Sequence, residues 1–214
     1  MALRGLVRRQ LSQSLTIPSQ PADAAAPHVA IIGRGINGLL QAVMLRLANY
    51  QVTVYGGNQL GDGASHMSTT ETTAKPLEDD SLLPGNKCLA DECNRSGAEL
   101  FEKLLSDNPS LARFAQGWAV EASGDDADPI HLKDEMEVLL QRSGVQFLPE
   151  RLSPVQIAEL SKEHFVVIAR KVEEGLSIVH CSAFHRIAAG GTYAAGTTQG
   201  MVWASLVQEV IQAN

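Results

Sequence analysis

A glycine-rich loop carries the clearest chemical signal in the sequence. Gly33-Arg34-Gly35-Ile36-Asn37-Gly38 has glycine at its first, third and sixth positions. With this spacing, the first glycine permits a tight turn, the second lets the backbone approach a pyrophosphate, and the third lets a helix pack closely on a sheet. The N–H groups that open such a helix, with the positive end of its dipole, attract phosphate. The candidate binding residues here are Gly33, Gly35, Ile36, Asn37 and Gly38.

The segments around this loop predict the elements that must position it. His28 to Ile32 is a short apolar, β-branched run, typical of a buried parallel strand. A helix is expected to start near Ile36, and Gln51 to Tyr55 predicts a second strand. A strand, a glycine loop, a helix and a strand in that order predict an α/β fold, with a Rossmann-type parallel sheet and flanking helices.

From His28 to about Ser68, the sequence resembles the start of the D-amino-acid oxidase-like FAD-dependent oxidoreductases, which include glycine and sarcosine oxidases. The resemblance rests on HVAIIGRGINGLLQAVMLRLANYQVTVY and on a Gly-Ala-Ser-rich turn, residues 61–68 (GDGASHMS). It implies FAD as the cofactor, contacted also by Ala64, Ser65 and Ser68 of the turn. It further implies hydride transfer to the flavin from a C–H bond next to an amine or hydroxyl of a small molecule.

Two features depart from the family's pattern. The family ends its second strand with Glu or Asp, which holds the adenosine ribose, whereas this chain has Gly56 there. Losing a charged hydrogen bond of this kind costs about 1.5–3 kcal/mol, and Asn58 is a candidate substitute. Family members are also much longer, so the sequence predicts a truncated, incomplete FAD-binding portion in which a substrate domain has at most begun.

These departures keep two alternatives open. One is a non-catalytic truncated form or pseudoenzyme with weak or no FAD binding. The other is an NAD(P)-binding domain, in which Arg34 inside the glycine loop would meet a phosphate. The turn at residues 61–68 favours FAD over NAD, and no residue can be given a catalytic role from the sequence.

The first 27 residues have a different composition from the rest. Arg4, Arg8 and Arg9 stand against Asp23 alone, so this segment carries +2 and the remainder −9 of the net charge of −7. Its leucines fall on one face of a helix, and an acid-poor, arginine-bearing amphipathic helix is typical of a mitochondrial presequence. We therefore expect a targeting leader and linker at 1–27, with the linker at Pro18 to Pro27, and the FAD-binding domain at 28–214. A mitochondrial location is expected, and otherwise a cytoplasmic one.

Composition argues against other functional classes. A net charge of −7 argues against nucleic-acid binding, which needs clustered Lys and Arg. No apolar run reaches the roughly 18 residues of a membrane span. Three cysteines do not suggest a disulfide framework. His180, Cys181 and His185 match no zinc spacing and are interpreted as part of a strand, so no metal site is predicted.

The remaining periodicity predicts further elements. We expect helices at Cys88–Leu105, Leu132–Leu140 and Met201–Gln212, and a short helix opened by Ser153 as N-cap with Pro154 in its first turn. Leu152–Leu160, which contains this short helix, resembles the helix ahead of the family's substrate domain. Gly117–Glu121 is a candidate strand, and Ala188–Gly200 a flexible stretch.

Overall fold

A computed structural model of the chain describes residues 2–57, 84–114, 129–168, 171–172, 176–181, 185–189 and 196–212. The helices are Ala2–Leu11 (α1), Ile36–Leu47 (α2), Pro84–Asp107 (α3), Pro109–Ala112 (α4), Pro129–Arg142 (α5), Pro154–Leu160 (α6) and Gly196–Gln212 (α7). The strands are His28–Ile32 (β1), Gln51–Tyr55 (β2), Gln146–Leu148 (β3), Phe165–Ile168 (β4), Lys171–Val172 (β5), Leu176–Cys181 (β6) and His185–Ala189 (β7).

Four parallel strands form the sheet that carries the glycine loop. Their order is β3-β2-β1-β4, so β1 lies inside the sheet, with Val29 opposite Val52 of β2 and Phe165 of β4. Parallel neighbours need crossover connections, and here these run through helices such as α2 between β1 and β2. The α/β fold with a Rossmann-type parallel sheet is confirmed.

After its first residue, His28, strand β1 is apolar because both faces of the sheet are covered. Val29 and Ile31 belong to the large core shared with the helical layer, and both are fully buried. Ala30 and Ile32 point to the opposite face, where they pack with Val166 and with other side chains, among them Ile157 and Leu160 of α6. A strand buried on both faces is expected to be a continuous apolar run rather than an alternating one.

The helices on the larger core form a layer outside the sheet. Helix α2 packs on the strands, α7 packs against both α2 and α3, and α1 packs against α3 and α7. The core side chains of α2 include Leu39, Leu40 and Met44, all without exposure to solvent. Helix α7 therefore covers the outer side of the helix that follows the glycine loop.

The N-terminal segment is packed into this layer. Helix α1 buries Leu6 and Val7, as the predicted amphipathic pattern requires. After it, the Leu15 N–H donates to Asp107 Oδ2 at 2.7 Å, and the Ile17 N–H donates to Asn108 Oδ1 at 2.9 Å. The Leu15 hydrogen bond, followed by that from Lys103, lowers the pKa of Asp107. The segment is thus fixed to the end of α3 by backbone hydrogen bonds and by apolar burial.

The stretch from residue 18 to residue 27 buries none of its side chains but is held through its backbone. Arg46 of α2 donates to the carbonyl of Gln20 in this stretch at 2.9 Å. The same guanidinium also donates to the carbonyls of Tyr50 and Ser143, at 2.8 and 3.0 Å. Gln51 Nε2 donates to three carbonyls of the same stretch, at residues 23, 24 and 26. It consists mainly of Pro and Ala, the composition from which the linker is predicted, and both the linker and the division of the chain at residue 27 stay predictions.

Most predicted elements are present with small shifts at their ends. Helix α3 extends the predicted Cys88–Leu105 helix in both directions, and α6 has the predicted Ser153 cap, completed by Gln156 as a capping box. The expected flexible stretch Ala188–Gly200 is wrong at both ends, because β7 runs to Ala189 and α7 begins at Gly196. Strands β3 and β4 were not predicted, and Gly117–Glu121 lies outside the described residues.

A second, antiparallel sheet has the order β5-β6-β7. His180 and Cys181 lie on β6 and His185 opens β7, with Cys181 opposite His185 in the register, so the strand interpretation of these residues is confirmed. Within the described part of the chain, no group of three or more His, Cys, Asp or Glu is placed to hold a metal ion. No helix in those same residues has the length and hydrophobicity to span a membrane.

Candidate dinucleotide-binding site

The glycine loop leaves the carboxyl end of β1 and enters α2 as predicted. Gly33 has φ +128°, a conformation that favours glycine, and its N–H donates to Tyr55 O of β2 at 2.8 Å. The Leu39 N–H donates to Gly35 O at 3.0 Å, which is the first hydrogen bond of the helix. The loop is therefore a tight turn whose start is locked to the neighbouring strand.

Gly38 is required by the contact between α2 and the loop. A Cβ atom at this position would lie 1.9 Å from Gly33 O and 3.6 Å from Ile31 Cγ2. The first distance is far below van der Waals contact, so any side chain would push the helix away from the sheet. This is the close helix packing expected of the third glycine.

Gly35 has open space where a side chain would be. It is the N-cap residue of α2, with φ −82° and ψ 178°, and apart from its two chain neighbours no described residue has an atom within 4 Å of the position that its Cβ would occupy. Gly35, as the N-cap, has no side chain with which to cap this helix end. Because the first N–H groups of a helix lack intrahelical acceptors, this end can receive an anion.

Arg34 is fixed by a bidentate ion pair. Its Nε donates to Glu137 Oε1 at 3.0 Å and its Nη2 to Glu137 Oε2 at 2.6 Å. Its guanidinium carbon lies 5.0 Å from the centre of the Phe147 ring of β3. Lys133 Nζ, one turn before Glu137 on α5, lies 3.3 Å from Glu137 Oε1. Sequence reasoning did not find Glu137 or Phe147, because neither belongs to the motif and only the folded chain brings them to the loop.

Gly56, at the end of β2, lies against the same arginine. Its N–H donates to Leu148 O at 2.9 Å, so it continues the pairing of β2 with β3. Its φ is +151°, and a Cβ atom here would lie 3.1 Å from Arg34 N and 3.2 Å from Arg34 Cβ. Arg34 therefore crowds the position where the first atom of a carboxylate-bearing side chain at residue 56 would lie.

The other predicted site residues fall into two groups. Ile36 and Asn37 lie in the first turn of α2, both partly buried, directly beyond Gly35. The residues of the Gly-Ala-Ser turn (Ala64, Ser65 and Ser68), and also Asn58, lie outside the described residues. The structure thus brings together the glycine-loop half of the predicted site, and the binding role of each residue stays a prediction.

A histidine pair lies at the other end of β1, away from the glycine loop. The rings of His28 and His164 meet edge to face, at an interplanar angle of 74° and with centroids 4.5 Å apart, and His28 Nε2 lies 2.8 Å from Thr53 Oγ1. Burial, and then the charge of His164, lower the pKa of His28. Since parallel α/β sheets bind ligands at the carboxyl ends of their strands, this pair belongs to the scaffold.

Comparison with known proteins agrees with this geometry. The model of the FAD dependent oxidoreductase family, DAO, matches residues 28–204, which is more than half of the chain. The chain belongs to this family. Its members are FAD-dependent, so FAD is the cofactor of this domain. No curated protein and no solved structure matches the chain.

The residues of the loop fit the pyrophosphate of FAD, and those near Gly56 depart from the family's pattern. Gly35 leaves the space that the backbone of a dinucleotide loop needs, and Gly38 holds α2 close to the sheet. Gly56 offers no carboxylate to the ribose, and the charged groups at that corner are instead Arg34 and Glu137. The geometry of the loop therefore fits a pyrophosphate, and the charges near Gly56 differ from the family's pattern.

Proposed function

We propose that this member of the FAD dependent oxidoreductase family oxidises a C–H bond next to an amine or hydroxyl of a small molecule. The observation that carries the proposal is the open space beside Gly35, the N-cap of α2, in the glycine loop that follows a parallel strand. FAD, when bound, supplies the hydride-accepting chemistry. The family match supports oxidoreductase function in general.

The residues of this chain would act on the cofactor by binding and orienting it. The backbone N–H groups that open α2 would receive the pyrophosphate, helped by the positive end of the helix dipole. Gly38 would keep those groups at a fixed distance from the sheet, since its contact with Gly33 O admits no side chain. None of the described residues is assigned a proton-transfer role.

The test is spectroscopic and uses the purified full chain. The protein should show flavin absorbance after incubation with FAD, and the absorbance should bleach without oxygen when the right substrate is added. The panel should contain amino acids of both configurations, N-methyl amino acids and 2-hydroxy acids. Flavin that binds but is not bleached by any of them would contradict the oxidase proposal while leaving the FAD site intact.

The structure also favours a second candidate, a non-catalytic FAD-binding form. The observation is Gly56, which replaces the ribose-holding carboxylate and lies against Arg34. A protein of this kind would bind FAD weakly, since a charged hydrogen bond is worth about tenfold to a hundredfold in affinity. Fluorescence quenching of FAD separates the two candidates: tight, stoichiometric binding with substrate-dependent bleaching supports the enzyme, and weak binding without bleaching supports this form.

We also propose that residues 1–27 direct the chain to mitochondria. The proposal is supported by α1, which has Arg8 and Arg9 exposed and Leu6 and Val7 on its apolar face. A fluorescent protein fused after these residues should enter mitochondria. The same fusion with Arg4, Arg8 and Arg9 changed to Glu should stay outside, and a diffuse signal from the unmodified fusion would contradict the proposal.

A further inference from the structure

Arg34 lies inside the glycine loop, and its guanidinium is already paired with the carboxylate of Glu137. Both Nε and Nη2, which form one edge of the guanidinium, are bonded to Glu137. Phe147 lies against the guanidinium, and the side chains of Arg34 and Glu137 are 13% and 7% exposed. A bidentate pair with this degree of burial fixes the orientation of the guanidinium.

The pair lies at the corner that selects the ribose in dinucleotide-binding domains. In these folds an acid at the end of the second strand binds the ribose 2′-hydroxyl, whereas an arginine nearby accommodates a 2′-phosphate. Here Gly56 directly follows the second strand, and a Cβ atom at this glycine would touch the backbone and Cβ of Arg34. By position alone, Arg34 would favour a 2′-phosphorylated ligand such as NADP, which FAD is not.

Glu137 reverses that preference in two ways. It occupies the guanidinium edge that a phosphate would use for a bidentate contact. Its negative charge, next to the Arg34 guanidinium, would also repel a 2′-phosphate that approached the arginine, since like charges repel strongly where burial reduces screening. Lys133, at 3.3 Å from Glu137 Oε1, offsets part of this charge.

We propose that Glu137 is a specificity-determining residue, which holds Arg34 away from phosphate and so makes the site select an unphosphorylated adenosine ribose. The inference rests on the proposed pyrophosphate role of the glycine loop. It assigns to α5 a selection that the second strand makes in other members of this fold class.

The experiment uses two ligands that differ by one phosphate, ADP-ribose and 2′-phospho-ADP-ribose. Calorimetric titration of the full chain should show tighter binding of ADP-ribose. Glu137→Gln keeps the shape of the side chain and removes its charge. In that variant 2′-phospho-ADP-ribose should bind about tenfold or more tighter than to the wild type, the worth of a charge-assisted hydrogen bond, with ADP-ribose little changed.

Two further variants identify the group responsible. The double variant Arg34→Ala/Glu137→Gln should lose the gain, because the released cation is then absent. Lys133→Gln removes a cation that offsets Glu137 but leaves the bidentate pair, so its preference for ADP-ribose should be at least that of the wild type. A gain that persists in the double variant would overturn the role given to Arg34.

The outcomes separate this inference from the proposed function. Absence of ADP-ribose binding to the wild type would contradict the pyrophosphate site itself. Binding of ADP-ribose without a gain in Glu137→Gln would overturn the role of Glu137 alone. If Glu137→Gln does not fold, as checked by circular dichroism, the wild type still decides, because equal or tighter binding of 2′-phospho-ADP-ribose overturns the inference.

Discussion

Gly35 and Gly38 are both required by the dinucleotide motif, but for physical reasons that the structure separates. A methyl group at Gly38 would collide with Gly33 O, whereas one at Gly35 would point into open space. Gly35 also has φ −82°, which any residue can adopt. We therefore expect Gly35 to serve ligand binding, whereas Gly38 is required by the packing of the fold.

Alanine substitutions test this separation. Gly38→Ala should lower the free energy of unfolding by about 1–3 kcal/mol or more, the usual cost of overpacking a core. Gly35→Ala should leave the unfolding transition nearly unchanged but weaken FAD binding, because its methyl group occupies the approach of the pyrophosphate. Urea denaturation and FAD fluorescence titration of both variants provide the check. Unchanged FAD affinity in Gly35→Ala would contradict the assigned site.

We expect His28 to make the stability of the fold depend on pH in the mildly acidic range. Burial and His164 lower the pKa of His28 below its ordinary value of 6.5, so the unfolded chain binds the proton more readily than the folded one. By linkage, the stability due to neutral His28 is fully present above pH 6.5 and is lost as the pH falls below that value. The urea midpoint should therefore fall between neutral pH and about pH 5, where histidines ordinarily titrate.

The matched variants are His28→Gln, which is neutral at all these pH values, and His131→Gln on α5. The first should flatten the pH dependence of the urea midpoint, and the second should retain it. An equal slope in the wild type and in His28→Gln would show that other groups govern the acid sensitivity.

At the scale of elements, the sequence predicted those strands, turns and helix ends whose position depends on a local pattern of residues. Strand β1, the glycine loop, β2 and the α6 cap follow from apolar runs, glycine spacing and a Ser-Pro start, and each lies where it was predicted. Strand β3 has only three residues, one of them exposed, which is too short for a periodic signal. Strand β4 is an apolar run that could have been found, but its pairing with β1 joins segments far apart in the sequence.

The candidate site likewise has one part that local sequence predicts and another that only the fold brings together. The motif predicted which residues form the loop, but the partner of Arg34 lies 103 positions away and comes from α5. No spacing rule relates such positions, because only the tertiary fold brings them together. The charge environment of the ribose corner therefore required the structure.

The docking of the stretch before β1 depends on Gly144, at the end of α5. Gly144 has φ +87°, and a Cβ atom there would lie 2.8 Å from Pro21 Cβ. Gly144→Ala should therefore lower the free energy of unfolding by about 1–3 kcal/mol, from backbone strain and from this contact. Guanidinium denaturation measures the effect.

Pro21→Gly provides the matched second change. It removes the ring that a methyl group at residue 144 would meet but leaves the strain of the positive φ. The double variant should thus lose less stability than the sum of the single variants, with a coupling of about 0.5 kcal/mol or more. Strict additivity would indicate that Pro21 does not pack on this turn in solution.

For the whole molecule, the N-terminal segment completes the helical layer. Arg9 Nη1 bonds to Glu209 Oε1 at 2.7 Å, and Gln10 Nε2 to Gln208 Oε1 at 3.1 Å in a buried contact between α1 and α7. The exposed ion pair contributes little to stability, about 0–1 kcal/mol. Apolar burial by Leu15 and its neighbours is therefore the larger stabilising term.

Truncation of Leu15 measures that term. Leu15 is 1% exposed, so Leu15→Ala should lower the free energy of unfolding by about 2–5 kcal/mol. Val155→Ala, at a side chain that is 71% exposed, is the control and should change it by less than about 0.5 kcal/mol. Equal effects of the two changes in thermal and urea denaturation would show that the N-terminal segment is not docked in solution.

The contact of α1 with α7 also sets an order of events during synthesis. Gln10 and Gln208 are 198 residues apart, so α1 leaves the ribosome long before its partner helix exists. At about 5–20 residues per second, the apolar face of α1 stays uncovered on that side for roughly 10 seconds or more. Any receptor that recognises this face must act within that interval, because the finished helical layer buries Leu6 and Val7.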